Sequence, residues 1–226
     1  MANVESMEIS HRVYLLAKEC PVSGNDSNAL MEFHNLVAIT QRGRGAWDSY
    51  KDKKVLDVCS GLSNFTARLL QMGADAYALD YGYQDVEELN IRSGRRPAGQ
   101  FFESFLQNRD RYINGSVHNL PFDSETFDAV TSYYGIFGVV DDDVDLAYQS
   151  IDEAVRVLKL GGILSVGPLQ SGQITTRQAA AEHTILGILG KRDDITTYVL
   201  TPERRAFFGS QDISRQGKLT VVKNAA

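Results

Sequence analysis

From Lys53 onward, short apolar runs alternate with segments of helical period, and glycine marks most of the changes. This alternation constrains the fold more than any other feature of the chain. Lys54-Val55-Leu56-Asp57-Val58 is an apolar run closed by Ser60-Gly61. A helical pattern follows with Phe65, Ala67, Leu69, Leu70 and Met72, then Gly73, then a second run at 76–80. Strand, glycine turn, helix, glycine and strand make a βαβ unit, whose strands are parallel and whose crossover is right-handed. The pattern continues with Phe101, Phe102, Phe105 and Leu106 at helical spacing, read as a core face, and strands at 112–117 and 127–132. A helix at 143–158 ends at Gly161-Gly162, a fifth strand covers 163–166, and a helix covers 173–189. Two β-rich pieces, 195–200 and 218–222, close the chain and predict an antiparallel hairpin at the sheet edge.

The expected fold class is therefore α/β. It is a Rossmann-like, seven-stranded, mostly parallel sheet with helices on both faces and an antiparallel C-terminal hairpin. Residues 1–50 read as an N-terminal helical lid, with Leu30, Phe33, Leu36, Val37 and Ile39 on one helix face, and 51–226 as the sheet domain. A chain of 226 residues holds both in one compact domain.

Composition narrows the function. Lys and Arg total 23 against 29 Asp and Glu, a net charge of -6 that disfavours a nucleic-acid backbone partner. Only five prolines and 43% hydrophobic residues exclude collagen-like and disordered classes. Two cysteines, Cys20 and Cys59, form neither a disulfide framework nor a zinc pattern. With no signal-like N-terminus and no run long enough to span a bilayer, the expectation is a cytoplasmic protein without membrane contact.

In open sheets of this kind ligands sit beyond the carboxyl ends of the strands, at the topological switch point. After strand one come Cys59, Ser60, Gly61, Leu62 and Ser63. A glycine there lets backbone approach a ligand. After strand two comes Asp80, roughly 20 residues past the turn, where a carboxylate accepts ribose hydroxyls. Tyr81 beside it offers a face for a purine ring. Of the three glycines in a dinucleotide fingerprint only Gly61 survives, so a nicotinamide-dependent reductase is a weaker alternative.

Four segments carry a more specific resemblance. They are Val55-Leu56-Asp57-Val58-Cys59-Ser60-Gly61; Asp80; Asn119-Leu120-Pro121-Phe122 with Phe127-Asp128-Ala129-Val130; and Glu153-Ala154-Val155-Arg156-Val157-Leu158-Lys159-Leu160-Gly161-Gly162. In this order, from about Val55 to Val166, they resemble the class I S-adenosylmethionine-dependent methyltransferases, nearest the UbiE or type 11 small-molecule group. The resemblance implies S-adenosyl-L-methionine as cofactor. It assigns Asp57 through Ser63 to the methionine part, Asp80 to the ribose, Ser116 and Val117 to the adenine edge, and Ser132 and Tyr133 to the neighbourhood of the sulfonium. Three positions depart from the family pattern. Cys59 and Ser63 replace glycines, Ser116 stands where an acid is usual, and Leu160 replaces a proline. The turn survives the first two changes if neither position requires positive φ.

Methyl transfer needs alignment above all, and a base only for a poorly nucleophilic acceptor. The stretch after strand four holds no Asp, Glu or His, so Tyr134 is the candidate for orienting the acceptor and His34, in the lid, the candidate base. His11 is a second histidine there, and Tyr14, Phe33 and Trp47 are candidates for an apolar substrate pocket. Asp141, Asp142, Asp143 and Asp145 invite a metal, but acids at a helix start are explained by its dipole, and no metal is expected. The reading is a methyltransferase with a small-molecule acceptor and a possible homodimer. Its alternative is a non-catalytic binding or scaffold protein of the same fold.

Overall fold

The computed structural model describes residues 50–85, 99–133, 135–139, 143–169, 177–200 and 217–224. Residues 1–49 of the expected lid at 1–50, with His34, and the acceptor-side candidate Tyr134 lie outside the described residues.

The described chain forms a seven-stranded mixed sheet of order β3-β2-β1-β4-β5-β7-β6. Its strands are β1 (Lys54–Val58), β2 (Asp75–Asp80), β3 (Tyr112–Asn114), β4 (Phe127–Tyr133), β5 (Leu158–Leu169), β6 (Ile195–Leu200) and β7 (Gly217–Lys223). The helices are α1 (Phe65–Gln71), α2 (Gly99–Gln107), the single turn α3 (Ile136–Val139), α4 (Val144–Val157) and α5 (Arg177–Leu189). β1 pairs in parallel with β2 and β4, β2 with β3, and β4 with β5. β7 is antiparallel to both β5 and β6. It lies between them, so β6 rather than the last strand forms the edge. From β1 the order runs outward through β2 to β3 on one side and through β4 to β5 on the other. The switch point is thus the gap between β1 and β4.

Adjacent residues of β2 show that both faces of the sheet are covered. Leu79 joins a core with Leu56, Val130, Leu164, Ile151 of α4 and Ile185 of α5. Ala78 joins a separate cluster with Tyr83, Phe101, Phe105 and Tyr112. Successive strand residues point to opposite faces. A strand buried on both sides is an apolar run with no alternation, which is how β1 reads in sequence. α1 stops where Gly73 takes a left-handed φ of 83°, and the Ala74 amide returns to the Leu69 carbonyl.

Two elements differ from their sequence-based bounds. β3 ends at Asn114, because Ser116 and Asn119 bridge to each other and fold the chain into a turn. β5 begins at Leu158 rather than at 163. Leu158 pairs with Phe127, and pairing resumes at Ala129 with Ile163. The register shift takes up Lys159 to Gly162, with Gly161 at a φ of 72°. The glycine pair bends the strand instead of preceding it. Lys223 of β7 holds this junction by donating to the Leu158 carbonyl at 2.9 Å.

Candidate functional site

The turn after β1 lies beside the switch point, and residues from the end of β2 hold it. Gly61 has a φ of 55°, and a Cβ added there would meet no atom within 4 Å, so its backbone faces open space. Both sides of this residue are engaged. Its amide donates to Asp80 Oδ2 at 2.9 Å, and its carbonyl accepts from the Tyr83 hydroxyl at 2.8 Å. Asp80 Oδ1 accepts from the Gly82 amide at 2.8 Å, capping the short 3-10 turn Tyr81–Gln84. The Asp80 carbonyl accepts from Gly115, at the start of the loop after β3, at 3.3 Å. Asp80 therefore ties together the loops that follow three strands.

Cys59 also takes a left-handed backbone, with a φ of 55°. The condition set by the sequence, that neither replaced glycine needs positive φ, is not met at this position. A non-glycine residue there costs about 1–2 kcal/mol. The cysteine side chain packs against Gly135, the first described residue after β4. A Cβ on Gly135 would lie 2.5 Å from Cys59 Cβ and 2.3 Å from Ser132 Oγ. Cys59 thus fills the gap between the ends of β1 and β4, and Gly135 is the residue that leaves room for it. Burial and the nearby Asp80 and Asp57 push the thiol up to about 12, which keeps it protonated at neutral pH.

Asp57 is the unusual group. It is 1% exposed, and neither carboxylate oxygen has a hydrogen-bond partner among the described residues. Burial pushes its pKa up to about 7; Ser60 nearby opposes the shift and Asp80 adds to it. The Ser60 hydroxyl lies close enough for this electrostatic effect, yet no hydrogen bond of normal geometry joins the two. Thr131 stands opposite Asp57 on β4, and Ser165 opposite Thr131 on β5. Their hydroxyls are likewise buried without partners among the described residues.

The other sequence candidates fall into two groups. Tyr81 is 59% exposed, with its ring open at the rim beside Asp80. Ser116 is exposed, and its hydroxyl accepts from the His118 amide at 3.3 Å within the turn. Val117 is buried in the main core. Ser132 is fully buried, and its hydroxyl accepts from the Ile136 amide at 2.9 Å, which starts α3. Tyr133 is buried at the end of β4. His118 faces α4, with its Nδ1 2.7 Å from Ser150 Oγ. Asp143 caps α4 through the Leu146 amide at 3.0 Å, the role that helix-start acids commonly take.

Three contacts around these segments were not legible in the sequence. One is the Tyr83 hydroxyl on Gly61. Another is the packing of Gly135 on Cys59. The third joins the two most specific segments of the sequence. Arg156 donates to the carbonyls of Leu120 at 3.1 Å and Phe122 at 2.9 Å, while Glu153 accepts from the Leu120 amide at 2.8 Å. Arg156 and Glu153 also pair with each other at 2.7 Å. A Glu and an Arg three apart on one helix, followed by a glycine pair, was the available signal.

The comparisons with known proteins agree with this architecture. Residues 56–166 match the family described as "Methyltransferase domain". A demethylmenaquinone methyltransferase of Clavibacter sepedonicus is 32% identical over 110 residues, which are 49% of this chain and 38% of that protein. The chain thus covers well under two thirds of that relative's length. Among solved structures, a Methanococcus maripaludis protein assigned as an S-adenosyl-L-methionine-dependent methyltransferase superposes with a TM-score of 0.54 at 13% identity, over 98% of this chain and 92% of that one. A Clostridium thermocellum protein assigned as an rRNA methylase superposes with a TM-score of 0.53 at 16% identity, over 79% and 92%. At such identities these two show the fold alone. Residues 56–166, just under half of the chain, are thus similar to methyltransferase domains, and the chain shares the fold of the two solved structures.

Proposed function

We propose that this chain is an S-adenosylmethionine-dependent methyltransferase whose acceptor is a small molecule. The observation that carries the reading is the arrangement around Gly61: an open left-handed glycine at the switch point, Asp80 beside it, and the buried carboxylate of Asp57, without a hydrogen-bond partner among the described residues. These residues fit the cofactor. Gly61 has room for close approach of a ligand backbone. Asp80 spends one interaction per oxygen on backbone amides, and a carboxylate oxygen has capacity for more. Asp57 is a counter-charge for the cationic amino group of a methionine moiety. Tyr81 offers an exposed ring for the adenine.

Bound there, S-adenosylmethionine supplies a methyl group already activated on a sulfonium. The chain's task is placement. The ends of β1 and β4 hold the donor side, and Ser132 and Tyr133 belong to that wall. On the acceptor side the proposal keeps Tyr134 to orient the nucleophile and His34 to take its proton. S-adenosylmethionine would supply the methyl group to the acceptor that Tyr134 orients, and His34 would receive the proton the acceptor gives up.

The small-molecule acceptor is supported by the net charge of -6 and by the quinone-pathway activity in the name of the Clavibacter relative. The reduced, hydroquinone form of such a ring, which is electron-rich, is the first acceptor to try. The fold is shared with an assigned rRNA methylase, so RNA belongs in the same assay. A cytoplasmic location is supported by the cysteine usage, and homodimerisation is to be read by light scattering. Among the described residues no helix is long and apolar enough to cross a membrane.

Calorimetric titration with S-adenosylmethionine and S-adenosylhomocysteine tests the reading, followed by labelled-methyl transfer to phenols, reduced quinones and RNA. Saturable binding with transfer to a small acceptor is the expected result. Absence of binding to either compound overturns it. One observation favours a non-catalytic protein of this fold: Cys59 is strained and fills the gap beside the switch point. Binding without transfer to any acceptor would select that second reading.

A further inference from the structure

The turn after β1 keeps one of three family glycines, yet Gly61 holds a left-handed backbone facing open space. Something other than glycine content must hold it. The hydrogen bonds from the end of β2 do so. Asp80 Oδ2 takes the Gly61 amide at 2.9 Å, and the Tyr83 hydroxyl gives its proton to the Gly61 carbonyl at 2.8 Å. Tyr83 is 2% exposed, so this bond is shielded from water. Its ring is itself fixed. Phe105 lies 5.9 Å away, Phe101 6.2 Å and Tyr112 5.7 Å between centroids, and Tyr112 donates to Ser104 Oγ at 2.7 Å. Helix α2 and strand β3 thus set where the Tyr83 hydroxyl stands.

We infer that Tyr83 is a positioning residue for cofactor binding: anchored among Phe101, Phe105 and Tyr112, its hydroxyl holds the Gly61 carbonyl so that the turn presents its open face to the crevice. The inference rests on the reading of this crevice as an S-adenosylmethionine site. It deepens that reading by naming a residue outside the crevice that sets affinity. Tyr83 acts through Gly61 and touches no reacting atom. Asp80 alone leaves the carbonyl side of Gly61 free to rotate, and a rotated peptide turns its backbone away from the ligand.

The test is Tyr83→Phe, which keeps the ring and removes only the hydroxyl. S-adenosylhomocysteine binding by calorimetry should weaken about five- to tenfold, the worth of one hydrogen bond. In turnover the cofactor KM should rise by a similar factor with kcat little changed. Ile185→Val, in α5 of the main core, is the control for general loosening. It should lower the melting temperature and leave the dissociation constant at the wild-type value. If Tyr83→Phe binds within twofold of wild type, or Ile185→Val weakens binding as much, the inference is overturned. If the wild-type protein binds no S-adenosylhomocysteine, the reading of the crevice falls and this inference falls with it.

Discussion

Two loops follow parallel strands of the sheet, one after β1 and one after β3, and they are held in different ways. The turn at 59–63 is held from below by buried hydrogen bonds from Asp80 and Tyr83, on a backbone strained at Cys59. The loop at 115–126 is held from the side by Glu153 and Arg156, whose side chains are 19% and 35% exposed. The first arrangement puts a carboxylate, Asp57, in the interior without a hydrogen-bond partner among the described residues, where its charge is costly. The second pairs its charges and directs them at backbone groups of the loop. A turn with one open face, as at Gly61, is supported from behind the other face. A loop that needs only a fixed course can be clamped at the surface.

The contrast breaks most severely at the aromatic support. Phe101→Ala empties the centre of the cluster behind Tyr83 and should cost about 3–5 kcal/mol in urea unfolding. Cofactor affinity should fall with it. If stability drops and affinity does not, the two loops are not supported separately.

The pH response comes next. Asp57 has a folded pKa raised to about 7, so its protonated form favours the fold. Stability from this group is complete below the ordinary carboxylate pKa and is lost as pH rises through about 7. Asp57→Asn should therefore gain on wild type by on the order of 2–4 kcal/mol between about pH 4 and pH 8. Glu153 behaves in the opposite sense. Arg156 holds its pKa low, and its contribution disappears as pH falls below the ordinary glutamate range. Unfolding free energies across pH for Asp57→Asn and Glu153→Gln separate the two loops. Parallel curves would remove the distinction.

Packing at the switch point gives a smaller effect. Gly135→Ala drives a methyl group into Cys59 and Ser132 and should cost about 1–3 kcal/mol. Adding Cys59→Gly should recover part of this, because one of the two overlaps disappears. A double variant no more stable than Gly135→Ala alone would show that Ser132 carries the whole clash. At the surface clamp, Arg156→Ala should cost about 1–2 kcal/mol, the worth of charge-assisted hydrogen bonds reduced by exposure. Its loss should free the amides of 119–123 to hydrogen exchange and leave those of 59–63 protected.

Much of the domain was legible in local pattern. The βαβ unit follows from an apolar run, a glycine turn and a helical stripe, each a property of neighbours in the chain. Asp80 is legible because its distance from Gly61 is set by the length of one strand and one helix. The start of β5 was not, because Leu158 becomes a strand residue only by pairing with Phe127, and helix periodicity in sequence runs straight through it. The left-handed backbone at Cys59 was also hidden, since nothing in a cysteine's composition announces a positive φ.

Sequence alone determined the alternation of elements and the switch-point chemistry to expect, because those depend on periodicity and on spacing along one βαβ unit; the family was a resemblance carried by four short motifs. Only the tertiary structure decided which tyrosine reaches the turn. Tyr81 and Tyr83 are two residues apart, yet one ring is open at the rim and the other is locked behind Gly61. That choice depends on how α2 and β3 pack against the end of β2. It also decided that Gly61 is held on both sides, by Asp80 at the end of β2 and by Tyr83 in the short turn that follows.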